Sequence, residues 1–257
     1  MSVLIGHCKS YEIHQWFSIR DSTTLTIHFY TGAVTRTGRA ARILLALCAL
    51  ALVVAAGAES PAHAARRQAT VLNRVKTDDP VVFVTIDDGL TRDPAVAEWL
   101  EQRAWPITNF ILTGQLDEWD STSFFSLLGS GSDFANHSST HRALKGMSFE
   151  KQKAEICGAQ RRIEAATWKA RKWFRPPFGS RDQTTYQAAA ACGISHVVMW
   201  RVSVNRAGIH TWGDAPVRKG DIILLHFVPD LLNSLKMLAA ELDRLGLRPA
   251  PLADYLS

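Results

Sequence analysis

The chain has 257 residues, of which 47% are hydrophobic, and a formal net charge of +5. This length fits one large domain or two small ones, and the apolar fraction is sufficient for a substantial core. Residues 65–257 carry 24 basic and 21 acidic residues, an evenly spread net charge of +3. So mild a charge argues against nucleic acid as a partner.

Residues 43–58 form the long apolar run of the sequence and follow three arginines. The run has 16 residues, fewer than the roughly 20 that a membrane span needs. Ala62-His63-Ala64 then offers a small-x-small cleavage pattern. We predict that residues 1–64 are a leader with a signal peptide cut after Ala64, and that the protein is secreted or cell-wall associated. The alternative is an uncleaved membrane anchor at residues 43–58. A separate hypothesis is that translation starts downstream of residue 1, near Val34.

Residues 65–79 are polar and basic and predict a linker. Apolar and helical patterns alternate from there on, which predicts a parallel α/β sheet or barrel in one domain, residues 80–257. The predicted strands and helices, in chain order, are strand 81–86, a helix capped by Asp93-Pro94, strand 107–112, a short helix near 123–128, a brief strand into Asn136, a helix capped by Ser148, helix 185–192, strands 194–200 and 222–225, and helix Leu231–Leu245.

The first of these strands ends at two adjacent carboxylates, in Asp87-Asp88-Gly89. In an α/β barrel the carboxyl ends of the strands carry the chemistry. A strand that stops at a glycine can direct one carboxylate to a metal and the other to a water. The alternative is a solvated turn, as at Asp78-Asp79-Pro80.

His137 and His141 are two of the five histidines in residues 65–257, and they stand four positions apart. On a helical turn both rings would lie on one face and could bind one metal. With one carboxylate they predict a His-His-Asp site with open positions, suited to zinc or a similar divalent ion. Two unrelated histidines are the alternative.

Arg175 and His226 complete the candidate chemistry. Arg175 precedes two prolines, and its guanidinium could hold a nearby carboxylate ionised and oriented. His226 follows the apolar run 222–225 and so stands at a strand end. The alternatives are a surface turn for Arg175 and a core position for His226.

Cys157 and Cys192 are the two cysteines of residues 65–257, and neither belongs to a C-x-x-C motif. They do not predict a zinc knuckle. A single disulfide is possible in an oxidising compartment, but we expect two buried free thiols.

The order and spacing of these motifs resemble the polysaccharide deacetylases of the NodB-homology type, carbohydrate esterase family 4, over about residues 80–257. The resemblance implies a distorted (β/α) barrel with fewer than eight repeats. It also implies that Asp87 is the catalytic base, that Asp88, His137 and His141 are the metal ligands, and that Arg175 orients the base.

The same resemblance extends to the substrate groove. It implies an oxyanion-hole N–H at Phe178, an aromatic wall at Trp200, the floor of an acetyl pocket at Leu224 and a general acid at His226. The sequence departs from the family at Ser203, where an aspartate usually supports the catalytic histidine. The later Asp-Trp pair of the family also has no clear match in residues 204–206.

We therefore predict a secreted, monomeric hydrolase that removes acetyl groups from N- or O-acetylated sugars of a polysaccharide. The predicted cofactor is one divalent ion, zinc or another such as cobalt, with a metal-bound water as nucleophile. The alternative is a catalytically weak glycan-binding module of the same fold. Ser203, which stands where the family usually has an aspartate, supports this alternative. A glycosidase built on Asp87 and Asp88 is excluded, because adjacent residues cannot straddle a sugar ring.

Overall fold

The computed structural model describes residues 17–19, 25–27, 68–116, 124–128, 131–167 and 169–256. The chain divides into two compact units, Met1–Glu59 and Ser60–Ser257. In the first unit, β1 (Phe17–Ile19) pairs antiparallel with β2 (Leu25–Ile27). The predicted signal peptide and its cleavage site lie outside the described residues. Within the described part of the chain, no helix is long and apolar enough to cross a membrane.

The second unit is built on one curled sheet with helices on its outside. Its strands are β3 (Thr70–Leu72), β4 (Val81–Asp88), β5 (Thr108–Ile111), β6 (Asp133–Asn136), β7 (Ala170–Phe174), β8 (His196–Val198), β9 (Val202–Asn205), β10 (Gly208–Thr211), β11 (Ile222–His226) and β12 (Arg248–Pro249). The order across the sheet is β10-β9-β11-β4-β5-β6-β7-β8-β3, and β12 pairs with β4. All pairs are parallel except β9–β10.

In the described part of the second unit, the α-helices with full bounds are α1 (Pro94–Gln102), α2 (Phe149–Ala166), α3 (Gln183–Ala191) and α4 (Leu231–Leu245). Asp93 caps α1 by accepting from the Ala95 N–H, and α4 ends at Gly246 with φ 65°. Both ends agree with the sequence prediction, because an acidic N-cap before proline and a glycine after the last turn are strong local signals. In the region predicted as a short helix, the described residues 124–126 form a helical turn.

The two faces of β4 separate the outer layer of the core from the barrel interior. Val82, Val84 and Ile86 belong to the outer cluster, which includes Leu235 and Leu238 of α4. Val81 and Phe83 belong to the inner cluster. Since side chains alternate along a strand, Thr85 and Asp87 continue the inner face and point toward the barrel interior.

The sheet curls because its far edge returns to β11. Arg74, just after β3, bridges Asp221, just before β11, and the Val75 N–H donates to the Gly220 carbonyl at 2.8 Å. A Cβ at Gly220 would collide with the Val75 carbonyl oxygen, so only glycine permits this approach. The predicted distorted (β/α) barrel with fewer than eight repeats is confirmed.

The sheet differs from the sequence prediction in several places. Part of the predicted linker is an edge strand, because Thr70–Leu72 pair with β8. The predicted strand 194–200 is shorter, and the β9–β10 hairpin that follows it was not foreseen. These segments are short, and their pairing is decided by distant strands.

The expectation of free thiols is wrong, because Cys157 and Cys192 form a disulfide. Cys157 lies on α2, and Cys192 is the C-cap of α3. The two helices pack against each other, which brings residues 35 positions apart into bonding range. Nothing in the local sequence around either cysteine indicates this helix contact.

Candidate functional site

The predicted site residues come together at one end of the sheet, where neighbouring parallel strands finish. Asp87 and Asp88 end β4, His137 follows β6, Arg175 follows β7 and His226 ends β11. Because these strands are parallel, their carboxyl ends share an edge, the usual position of an active site in such barrels.

Asp88 is turned toward the two histidines by its backbone. Its φ of 80° and that of Gly89, 90°, are left-handed, which ends the strand alternation that would aim Asp88 outward. Its Oδ1 lies 3.4 Å from His137 Nε2 and 3.3 Å from His141 Nε2. Burial alone would raise the pKa of Asp88, but the adjacent His137 and the other nearby imidazoles lower it overall.

The two histidines sit on a loop, so the predicted helical turn is wrong although the predicted proximity holds. Ser138 and His141 have φ values of 73° and 59°, which no helix contains. The loop is fastened to α2, where the Glu155 carboxylate accepts from the N–H groups of Ser139 and Thr140 and from the Thr140 hydroxyl. Asn136 adds a further anchor by accepting from the Ser138 N–H at 2.8 Å.

The protonation of the histidines follows from their neighbours. His137 Nδ1 lies 2.8 Å from the Arg175 carbonyl oxygen, which can only accept, so Nδ1 carries the proton and the Nε2 lone pair faces Asp88. Burial and the adjacent His137 lower the pKa of His141. Nε2 of His137 and Nε2 of His141 both face the same oxygen of Asp88.

Asp88, His137 and His141 fit a small divalent cation. Asp88 Oδ1 is buried and has no hydrogen-bond partner among the described residues, a costly arrangement for a carboxylate oxygen. Ligand atoms about 2.0–2.1 Å from a tetrahedral centre lie about 3.3–3.4 Å apart, which matches the two measured separations. Three protein ligands leave at least one position for a water or substrate.

Asp87 is held apart from this trio by a buried arginine. Arg175 is fully buried, and its Nη1 donates to Asp87 Oδ1 at 2.7 Å and to Thr85 Oγ1 at 2.8 Å. Its Nε donates to the Val198 carbonyl at 2.9 Å, and its guanidinium lies over the Phe110 ring. Burial lowers the pKa of Arg175, and Asp87 opposes that shift. Asp87 Oδ2 remains directed toward His137 Nε2, 3.7 Å away.

The remaining predicted residues form the rim and floor. Phe178 is 72% exposed, and its ring centroid lies 4.5 Å from that of His141. Trp200 is half-buried with its ring 5.6 Å from the Arg175 guanidinium carbon. Leu224 is buried beside Thr85, and His226 is exposed and in register with Asp87. All nine predicted residues thus lie around one end of the sheet.

Sequence reasoning missed the residues that support this site. Thr85 accepts from Arg175 and donates to the Ile223 carbonyl at 2.7 Å. It stands two positions before Asp87 on the same strand face, so alternation could have identified it. For Asn136 the signal was its place beside His137 at a strand end. Glu155 offered no signal, because it lies 14 positions after His141 on a separate element.

Comparisons with known proteins agree with this geometry. Residues 74–197 match the family model described as polysaccharide deacetylase. The chain is 39% identical over 214 residues to an uncharacterized protein of Streptomyces coelicolor, covering 79% of this chain and 84% of that protein. It also resembles the structure of a family 4 carbohydrate esterase from Streptomyces lividans in complex with acetate, with 25% identity, a TM-score of 0.56 and coverage of 66% of this chain and 91% of that one. A family 4 pseudoenzyme from Bacillus anthracis has a similar fold, with 21% identity, a TM-score of 0.61 and coverage of 73% and 69%.

Proposed function

The chain belongs to the polysaccharide deacetylase family, carbohydrate esterase family 4, and from this premise we propose that it is an exported, metal-dependent hydrolase. It removes acetyl groups from N- or O-acetylated sugars of a polysaccharide. The observation that carries the proposal is the buried, unpartnered Asp88 Oδ1 facing two imidazole nitrogens at 3.3–3.4 Å.

Asp88, His137 and His141 would hold the ion, and we propose zinc or another divalent metal such as cobalt. When bound, such an ion supplies Lewis acidity that acidifies a water and polarises an acetyl carbonyl. The Arg175 carbonyl keeps the His137 tautomer that binds through Nε2.

Asp87 acts as the general base. Arg175 fixes Oδ1 of Asp87 through a hydrogen bond, and Oδ2 is left facing His137. As the water oxygen forms its bond to the acetyl carbon, the water proton passes to Asp87. The fixed hydrogen bond on Oδ1 holds the carboxylate in place for this transfer.

Formation of the tetrahedral intermediate requires stabilisation of its oxyanion, and its collapse requires protonation of the leaving group. The Phe178 N–H donates to the oxyanion. Phe178 has a left-handed φ of 57°, so the backbone turns sharply at the rim of the site. His226 gives a proton to the sugar nitrogen or oxygen as the carbon–nitrogen or carbon–oxygen bond breaks. Trp200 forms the groove wall, and Leu224 forms the apolar floor that receives the acetyl methyl group.

A second candidate is a glycan-binding module with weak or no turnover, and Ser203 favours it. Ser203 on β9 is in register with Leu224, and Leu224 and His226 share a strand face because they are two apart. A hydroxyl stands where an aspartate would support the imidazole. The fold itself does not decide, because it is found both in a named esterase and in a named pseudoenzyme.

We also propose that the protein acts outside the cytoplasm, as a monomer, with residues 1–64 as a leader cut after Ala64. The arginines, apolar run and Ala62-His63-Ala64 support a cleaved signal peptide. The Cys157–Cys192 disulfide is compatible with an oxidising compartment. A retained anchor at residues 43–58 is the alternative, which mass spectrometry of the extracellular protein distinguishes by the presence or absence of residues 43–64.

The function is tested by measuring acetate release from N-acetylated and O-acetylated glycans, with and without a chelator. We expect release that the chelator abolishes and a divalent ion restores, with His141→Ala inactive. Specific glycan binding without acetate release would support the binding module. Chelator-resistant release would contradict the proposed metal dependence.

A further inference from the structure

The Cys157–Cys192 disulfide joins the two helices to which the loop with two of the proposed metal ligands is attached. We name residues 137–147 the histidine loop, because this segment contains His137 and His141. Cys157 lies on α2, and Cys192 is the C-cap of α3. The disulfide takes no part in the chemistry proposed above, but it restrains both supports of the loop.

The beginning of the histidine loop is fastened to α2. Ser139 Oγ donates to the Glu155 carbonyl oxygen at 3.0 Å, in addition to the bonds with the Glu155 carboxylate described above. Asn136, just before the loop, donates from Nδ2 to the Ile156 carbonyl oxygen at 2.8 Å. The next residue of the helix is Cys157, so the anchors of the loop and the disulfide lie in the same turn of α2.

The end of the histidine loop is fastened to the start of α3. The Gly146 N–H donates at 2.8 Å to the carboxylate of Asp182, which is the N-cap of α3. Asp182 also accepts from the Gln152 amide of α2 at 3.3 Å, and Thr185 Oγ1 of α3 donates to Gln152 Oε1 at 2.6 Å. The loop therefore bridges the two helices, and a change in their separation displaces its ends.

The two helices pack on each other through small side chains. The buried apolar residues of α3 are Ala188 and Ala189, and they belong to the same cluster as Ile156 of α2. An alanine side chain removes much less apolar surface from water than a leucine or phenylalanine does, and it stabilises a contact less. The covalent bond between Cys157 and Cys192 therefore carries a large share of the restraint between α2 and α3.

The histidine loop needs this restraint, because its backbone conformation is unfavourable by itself. Ser138 and His141 have left-handed φ values of 73° and 59°, which residues other than glycine rarely adopt. Such conformations persist only where the surrounding structure holds them. If α2 and α3 were released from each other, the loop would relax and His141 would move away from Asp88.

We propose that the Cys157–Cys192 disulfide is a redox-sensitive positioning element for the metal site. While the bond is formed, α2 and α3 keep His137 and His141 directed at Asp88. A dithiol reductant breaks the S–S bond, each cysteine sulfur gains one electron and one proton, and the dithiol closes to its own disulfide. The reduced protein then binds the metal less tightly. This inference rests on the proposed function and deepens it, because it links metal binding to the redox state of the surroundings.

The test measures the Zn²⁺ Kd by competition with a chromophoric chelator. The oxidised protein is compared with protein reduced by a dithiol and then freed of it, and with the same sample reoxidised by oxidised glutathione. We expect the Kd to rise about tenfold on reduction, the lower end of the effect of groups that orient metal ligands, and to return on reoxidation. A disulfide that withstands the dithiol in the folded protein would overturn the proposed redox sensitivity.

A variant without the two cysteines separates positioning from metal binding by free thiols. Cys157→Ser combined with Cys192→Ser should have the Kd of the reduced wild type and respond to neither treatment. Leu238→Ala is the matched control, because it weakens the outer core cluster at α4 and should leave the Kd unchanged. Equal Kd values for the oxidised wild type and the serine variant, or an equal rise in Leu238→Ala, would overturn the proposal.

Failure of the proposed function gives a different result. If the oxidised wild type binds no Zn²⁺, the metal site is wrong, and hydrogen exchange then tests the hold of the disulfide on the loop. The Ser139 and Thr140 N–H groups, which donate to Glu155, should exchange faster in the serine variant than in the wild type. Faster exchange supports the positioning role without a metal, and equal exchange rejects it.

Discussion

Among the described residues, two buried arginine–aspartate pairs lie one at each end of the barrel, and they are built differently. At the proposed active end, Arg175 bonds only Oδ1 of Asp87, and Oδ2 faces the site. At the opposite end, Arg201 bonds both oxygens of Asp221 at 2.6 Å. The Arg218 N–H adds a bond to Oδ2, and Arg74 lies 3.4 Å from Oδ1.

This difference separates the ion pair at the candidate site from a purely structural one. Every oxygen of Asp221 is satisfied, so the carboxylate joins the end of β3 to the start of β11 and has no capacity left for a ligand. Asp87 keeps one oxygen open toward the metal ligands. The same pair of residue types therefore closes the barrel at one end and holds the proposed base at the other.

The largest expected effect is on catalysis at Asp87. Asp87→Asn keeps an acceptor for Arg175 but removes the base, so kcat should fall about 10²–10⁴-fold. Acetate release measures the loss, and circular dichroism should show a retained fold. Asp243→Asn, at an exposed helix position, is the matched control. A rate within a few-fold of the wild type would refute the role of Asp87.

The opposite pair should respond in stability. Asp221→Asn leaves the buried Arg201 guanidinium without its counter-charge, and breaking a buried pair costs about 3–5 kcal/mol. Urea unfolding should show this decrease in the free energy of unfolding, while the folded fraction keeps its metal content. If Asp221→Asn has the same free energy of unfolding as the wild type, the Arg201–Asp221 pair does not have the structural role assigned to it.

Metal removal should lower the free energy of unfolding through the proposed metal ligands and not through the Arg201–Asp221 pair. An ion at 100 times its Kd stabilises a protein by about 2.7 kcal/mol, so a chelator should lower the free energy of unfolding by a similar amount. His141→Ala should contain less metal and lose most of this chelator effect. Unchanged metal content in His141→Ala would remove that residue from the ligand set.

A smaller effect is expected where α2 holds the histidine loop. Glu155→Gln weakens the acceptor of the Ser139 and Thr140 donors, and the metal Kd should rise about tenfold, as for other residues that orient ligands. Glu150→Gln, an exposed change on the same helix, serves as control. Equal metal affinity in both variants would show that the loop needs no support from Glu155.

The smallest expected effect is at Ser203. Ser203→Asp places a carboxylate on the strand face shared with Leu224 and His226, which favours a protonated imidazole. A general acid typically contributes about 10²–10⁴-fold to the rate, and we expect kcat to increase by only a fraction of that. The alkaline limb of the pH–rate profile should move to higher pH. His226→Ala should abolish activity both in the wild type and in the Ser203→Asp variant. A wild type whose rate is indifferent to His226→Ala would contradict the acid assignment.

Much of the fold could be predicted because its signals are local. The apolar run of β4, the Asp93-Pro94 cap and the glycine after α4 each specify an element through neighbouring residues. The β3 strand and the disulfide could not be predicted in this way. Each depends on a partner more than thirty positions away, and loop closure across such distances leaves no local pattern.

The candidate site was predictable for a related reason. Metal ligands, base and acid must be particular residue types, and they stand at strand ends that a hydrophobic pattern reveals. The supporting residues Thr85 and Glu155 are ordinary types at ordinary positions. Their roles come from hydrogen bonds that exist only after the strands and α2 have packed.

The sequence by itself determined the residue types of the site, the alternation of strands and helices, and the family to which the chain belongs. The tertiary structure decided how two adjacent carboxylates face different partners, because the left-handed φ of Asp88 turns its side chain toward the histidines while Asp87 stays with Arg175. It also decided that α2 contacts both the histidine loop and α3. Because these contacts join residues that are distant along the chain, no short stretch of sequence encodes them.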